Sequence, residues 1–364
     1  MKLQVTQENI HKALSNVAKV ASSRGTLPIL ANVLIKTVDN RVSIAATNLD
    51  IAITQYIGSK VSSEGSITVP ARLMQDFIAS LGSSSTITLE LDETKLKVTT
   101  DHHHSVINGT SADDFPVMPA ITSGVSWTLP AKTLKTSLQQ VLFAASTDEA
   151  RPVLTAVNIH THDGWVYFAA TDSYRLAERK VEQVDTDIQL LVPASALQDL
   201  LRVLGDSEET VHITHDDQQV LFRVGDVELV ARLIEGTYPD YRKLIPTKFA
   251  HNATVEQKEF QNITKVSALF ARENAGSVTL QLNETEQTIN ITAMASQLGE
   301  NTASTTAEVD AEGAITLNSR YILDAVGVLE GTDMHISFNE KLEPCVIRAK
   351  DHENYTHVIM PLKS

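Results

Sequence analysis

The segment VPARLMQDFIASLG at 69–82 returns as VPASALQDLLRVLG at 192–205, a shift of 123 positions. Pro70 falls on Pro193, Met74 on Leu197, Asp76 on Asp199 and Gly82 on Gly205. A third, more divergent copy, LNSRYILDAVGVLEG, stands at 317–331, where Ile322, Asp324 and Val326 match Leu197, Asp199 and Leu201. A second helix-like stretch heads each unit, starting at Leu3, Trp127 and Ala253, with Ile10, Leu134 and Phe260 in matching places. A period of this length means one supersecondary design built three times.

Each copy of the first segment reads as a strand end running into an amphipathic helix, with apolar residues at 74, 77, 78 and 81 at helical spacing. Pro70 and Pro193 suit a first helical turn, where no N–H bond is lost. Asn318 suits the N-cap of the third copy, and Gly82 and Gly205 suit a left-handed stop. Alternating segments fill the spaces between helices. In TLELDETKLKVTT, Leu89 and Leu91 face Leu96 and Val98 across a polar turn. The expected architecture is α+β, with three pseudo-repeated domains at 1–123, 124–246 and 247–364. Each would carry two helices packed on antiparallel sheets of about eight strands.

With 364 residues and 42% apolar content the chain can bury a sizeable core. It has no signal pattern and no apolar run of about 18 residues, so a soluble, cytoplasmic protein without membrane contact is expected. The single Cys345 excludes an internal disulfide and reads as a packed thiol. A net charge of −15 argues against tight nucleic-acid binding if charge is evenly spread. It is not evenly spread. The six helical segments carry nine basic residues against seven acids, about +2, leaving about −17 for everything else. A weakly basic helical face suits touching DNA without gripping it, but on charge alone plain solubility is the favoured reading.

Several signals read as structure rather than chemistry. Asp101, His102, His103 and His104 are consecutive and would alternate faces on a strand, so no metal site is expected. Asp113–Asp114 and Asp216–Asp217 read as turn formers. Thr171–Asp172 matches Thr47–Asn48 in the first unit, which favours turn chemistry over a hydrolase built on Asp172 and Arg175. There is no phosphate-binding loop, nucleophile elbow or metalloprotease helix. No catalytic residue and no cofactor are expected.

Together with the threefold repeat, the stretches GTLPILANVLI at 25–35, ATDSYRLAERK at 170–180, EGTYPDYRKLIP at 235–246 and the ending HVIMPLKS resemble the bacterial DNA sliding clamps. These are the beta subunits of DNA polymerase III, and the likeness runs the length of the chain. The resemblance implies a DNA clamp fold and a head-to-tail homodimer closing a ring around double-stranded DNA. It implies a non-catalytic processivity factor that tethers the polymerase and other enzymes through short peptides and is loaded by an ATP-driven clamp loader.

By motif, the resemblance places a partner-peptide pocket at Leu154, Thr171, Ser173, Arg175, Leu176, Pro239, Leu244, Val358, Met360, Pro361 and Leu362. Leu154 and Leu176 fit core packing equally well. It places Arg24 and Arg151 toward DNA. The helix-charge argument adds Lys12, Lys19, Arg72, Lys132, Lys135, Arg202, Lys265 and Arg320. For the dimer interface the resemblance implies Ile107 on an edge strand and Leu269 and Phe270 at a helix end. A three-repeat scaffold that binds only proteins is the alternative.

Overall fold

The computed structural model describes residues 1–21, 27–295 and 299–362. Six α-helices occur among them: α1 (Gln7–Val17), α2 (Ala71–Ala79), α3 (Ala131–Val141), α4 (Ala194–Leu204), α5 (Gln257–Ala271) and α6 (Ser319–Val326). They stand where the sequence repeat places them, two per repeat. Among the described residues the strands number nine in the first repeat and eight in each of the others.

Hydrogen bonding divides the strands into sheets of five, eight and twelve, with every pairing antiparallel. The larger sheets are shared between repeats. Strand Ile51–Gly58 of the first pairs with Val227–Arg232 of the second. Strand Arg175–Gln183 of the second pairs with Tyr355–Ile359 of the third. The backbone accordingly separates into two compact units, 1–135 with 195–233, and 136–194 with 234–364, each holding strands of two repeats.

In the first unit α1 and α2 pack on each other, and α1 lies on the strands Arg41–Thr47 and Ile51–Gly58. Ile10, Ala13, Leu14 and Val17 of α1 and Met74 and Ile78 of α2 are buried there. In the second unit α5 pairs with α6 and covers the strands Thr288–Ala295 and Gly299–Val309. The tight hairpins repeat as well. Asp39–Asn40 and Asp163–Gly164 both have positive φ at each central residue, the two-residue turn that matches strand twist.

Local chemistry departs from expectation at two helix ends. Pro70 precedes α2 instead of opening it, because it still ends the strand Ser66–Pro70 opposite Asn32. At the other end Ser80 closes α2, its N–H and Oγ both donating to the Asp76 carbonyl, so Gly82 needs no left-handed backbone. Gly205, by contrast, follows α4 with φ of 48° as expected, and the Asn318 side chain caps α6. Leu89 faces Val98 and Leu91 faces Leu96. Cys345 is fully buried, and burial pushes its thiol up to about 12.

Candidate docking site and basic helix faces

The second unit gathers most residues of the expected pocket around one apolar floor. Leu154, Leu176 and Val358 are buried in a cluster with Ala156, Ala169, Tyr238, Tyr241 and Val346. The strand pairing explains the meeting: Leu176 stands opposite Val358, which stands opposite Val346. Leu154 comes from the 3-10 turn Pro152–Thr155. Tyr238 and Tyr241 pack on the floor, whereas Pro239 and Leu244 beside them remain exposed, Leu244 at 55%. The tail continues the edge. Met360 donates its N–H to the Tyr174 carbonyl at 2.8 Å and Leu362 donates to Thr316 at 2.9 Å, leaving Met360, Pro361 and Leu362 half-buried.

The turn 171–175 is set by side chains. Thr171 Oγ1 donates to the Arg175 carbonyl at 2.6 Å and accepts from the Ser173 N–H at 3.1 Å. Asp172 Oδ1 accepts from the N–H groups of Tyr174 and Arg175 at 2.9 and 3.0 Å. Ser173 is thereby held at φ of 79°. Asp172 is thus consumed as a turn former. The turn also exposes Tyr174, 61% accessible. The motif reading passed over this residue, and only the left-handed step before it signals the exposure.

Arg175 does not project as a free cation into the pocket. It is buried, with Nε 3.1 Å from Asp172 and Nη1 2.5 Å from Asp324. Its Nη2 donates to the Phe143 carbonyl at 2.5 Å. Its guanidinium lies 4.4 Å from the Tyr321 ring centre and 5.3 Å from that of Phe143. The resemblance implies a place for Arg175 in the lining of the peptide pocket. The structure makes it a hub joining the 171–175 turn to α6. Asp324 and Tyr321, its partners, were unassigned because nothing local links them to position 175.

His357, beside Val358, is wholly buried, and its Nδ1 lies 3.2 Å from the Tyr355 hydroxyl. Burial, helped by the Arg175 charge, lowers it from 6.5 to about 3. Between those values the unfolded chain takes up a proton that the folded chain excludes. Folding stability should therefore fall as pH drops from 6.5, by at most about 1.4 kcal/mol per pH unit from this residue. Above pH 6.5 it contributes no slope. Urea titrations at pH 7.5, 6 and 5 check this, and His357→Gln should flatten the dependence.

The proposed DNA-facing residues separate by engagement. Arg24 lies outside the described residues. Lys12, Lys19, Lys132 and Arg320 are exposed. Lys265 is exposed and bonds Gln261 on its own helix, Arg72 lies 3.9 Å from Asp76, and Arg202 is tied to Asp199. Lys135 is committed, its ammonium held by the Gly205 carbonyl at 2.5 Å and by Asp206 at 2.8 Å, where it caps the end of α4. Arg151 bridges Asp148 and Ser173, at 3.1 and 2.9 Å. With the observed helix bounds, eight basic residues oppose five acids, about +3. The observed ends exclude Lys19 but also Glu256 and Glu330.

On the proposed interface, Ile107 lies on an edge strand. It faces inward against Leu96 on the strand His104–Asn108 and is 6% exposed, because strand alternation turns Val106 outward instead, at 57%. That strand is the edge of the five-stranded sheet. Leu269 is 51% exposed and Phe270 half-buried, with Val266 exposed one turn earlier.

The remaining candidates stay structural. Asp113 lies in a 3-10 turn capped by Ser111, and Asp216 accepts from the N–H groups of Gln218 and Gln219. His104 bonds Thr99, and no cluster able to hold a metal occurs among the described residues.

Residues 1–119, 128–240 and 242–363 match family models described as the N-terminal, central and C-terminal domains of the DNA polymerase III beta subunit. A protein of Synechococcus elongatus named "Beta sliding clamp" is 31% identical over 372 residues, covering 100% of this chain and 99% of its own. The DNA polymerase sliding clamp of Bacillus subtilis superposes with a TM-score of 0.95 at 30% identity, covering 100% of this chain and 99% of its own. The sliding clamp of Bartonella birtlesii, solved bound to griselimycin, superposes equally well at 27% identity, covering both chains fully.

Proposed function

The chain belongs to the DNA polymerase III beta subunit family, and on that premise we propose that it encircles duplex DNA as a sliding clamp and tethers the replicative polymerase. Three family domains running in order through the full chain carry this reading. The proposed domains are 1–123, 124–246 and 247–364. It is a non-catalytic processivity factor. Two chains would close head to tail, the first domain of one against the third of the other, and a loader driven by ATP would open the ring.

Retention then comes from enclosure instead of affinity, which fits the charge. Helices near +3 within a chain of −15 attract the phosphate backbone weakly enough to slide, and the acidic remainder repels stray DNA. Lys12, Lys19, Lys132, Lys265 and Arg320 would contribute to this attraction, and Arg24, Arg72, Arg151 and Arg202 are proposed to join them. The apolar floor of Leu154, Leu176 and Val358, with Leu244, Met360, Pro361 and Leu362 around it, would take the aliphatic and aromatic side chains of partner peptides. No described helix is long and apolar enough to cross a membrane, and a cytoplasmic location is proposed.

The dimer supplies the test. Light scattering should give twice the chain mass. Leu269→Glu should halve it while leaving protomer stability within about 0.5 kcal/mol, since the side chain is half exposed in the protomer. A wild-type monomer would contradict the ring.

A further inference from the structure

The first unit holds a second cleft with the same framework as the peptide site of the second unit. Thr47 Oγ1 donates to the Ile51 carbonyl at 2.9 Å and accepts from the Leu49 N–H at 3.0 Å, as Thr171 does to Arg175 and Ser173. Asn48 Oδ1 accepts from the N–H groups of Asp50 and Ile51, as Asp172 does from those of Tyr174 and Arg175. Leu49 and Ser173 share a φ of 79°. Arg232 donates its N–H to the Asp50 carbonyl at 2.9 Å, and Met360 does the same to Tyr174 at 2.8 Å. The turns Pro28–Ala31 and Pro152–Thr155 correspond, as do the buried pairs' leading residues in Phe115–Pro116 and Tyr238–Pro239.

The side chains on this shared framework differ in a directed way. Ala52 stands where the second unit has Leu176, and a cleft of about 200 Å³ opens between Leu49, Ala52, Pro116, Val117, Gln219 and Arg232, with Asp50 as its one acidic lining residue. Leu49 is 48% and Val117 96% exposed. A leucine held in the left-handed region carries backbone strain that asparagine or glycine would avoid, and half its apolar surface faces water. Arg232 is exposed and has no ion-pair partner among the described residues. Gln219 Oε1 lacks a hydrogen-bond partner, so a ligand amide that draws the carboxamide outward breaks no bond.

We propose that this cleft is a second peptide-docking site, which takes an extended segment of a partner protein with an aliphatic side chain against Leu49 and Val117 and a carboxylate on Arg232. It rests on reading the second-unit site as a peptide dock. It differs from that site in charge, since Arg232 replaces Met360 at the rim, and so it selects acidic-aliphatic segments.

Phage-displayed twelve-residue peptides selected on the full chain provide the probe. Clones should then be sorted on three variants: Leu49→Asn, Arg232→Glu and a chain lacking Met360–Ser364. A class rich in aspartate or glutamate beside leucine, isoleucine or valine should weaken at least tenfold on both Leu49→Asn and Arg232→Glu and stay within twofold on the truncated chain. Leu49→Asn should melt no lower than wild type, which separates lost docking from lost folding, and Arg232→Glu tests the site independently. If every clone depends on the tail, the second-unit reading stands and this inference fails. If clones bind but none responds to the tail, the second-unit reading fails alone. An empty selection, or a Leu49-dependent rise in mass without peptide, overturns this inference, the latter by assigning the cleft to a second copy of the chain.

Discussion

Arg175→Ala should lower folding stability by about 3–5 kcal/mol, the range for breaking a buried ion pair by removing one partner. The side chain leaves three groups behind: the carboxylates of Asp172 and Asp324, 17% and 30% exposed, and the Phe143 carbonyl. It also leaves the Tyr321 and Phe143 rings without the cation between them. Arg175→Lys should recover little, because an ammonium cannot serve both carboxylates and the carbonyl while lying flat on the rings. Urea denaturation measures the effect. A loss under about 1 kcal/mol would mean that these contacts do not organise the second unit.

Deleting Met360–Ser364 should reduce binding of polymerase-derived peptides at least a hundredfold, about 2.7 kcal/mol, while the dimer persists. The cut falls just after the strand Tyr355–Ile359, whose pairing with Arg175–Gln183 and Cys345–Ala349 is retained. Among the described residues the deletion removes two backbone bonds, to Tyr174 and Thr316, and the apolar surface of Met360, Pro361 and Leu362. Fluorescence anisotropy with a labelled peptide, alongside light scattering, separates the outcomes. A truncated chain that scatters as a monomer would make the tail structural, and unchanged peptide affinity would move the pocket elsewhere.

The repeat made the fold legible. Helix positions follow from the threefold match, and hairpins such as Thr86–Asp92 with Lys95–Thr99 follow from alternation. What sequence could not reveal is that sheets are shared between repeats. The pairing of Ile51–Gly58 with Val227–Arg232 joins residues 172 to 180 positions apart, and no local period encodes it. The candidate site divides along the same line. Leu154, Leu176 and Val358, picked out by separate motifs, do share one buried cluster, but the surroundings of Arg175 depend on Asp324, 149 positions away. At Ile107 the edge strand is legible in sequence, whereas its alternation, which turns Val106 outward in the protomer, depends on the register with Leu96. Lys135 looked like a lining cation until the end of α4 supplied the carbonyl that holds it.

The most direct measurement loads the protein onto a nicked circular duplex, removes the loader and cuts the circle with a restriction enzyme. Enclosure predicts retention on the closed circle at moderate salt and prompt loss from both ends once it is linear. Equal retention on circular and linear DNA would show that the duplex is held by adhesion and would contradict the account.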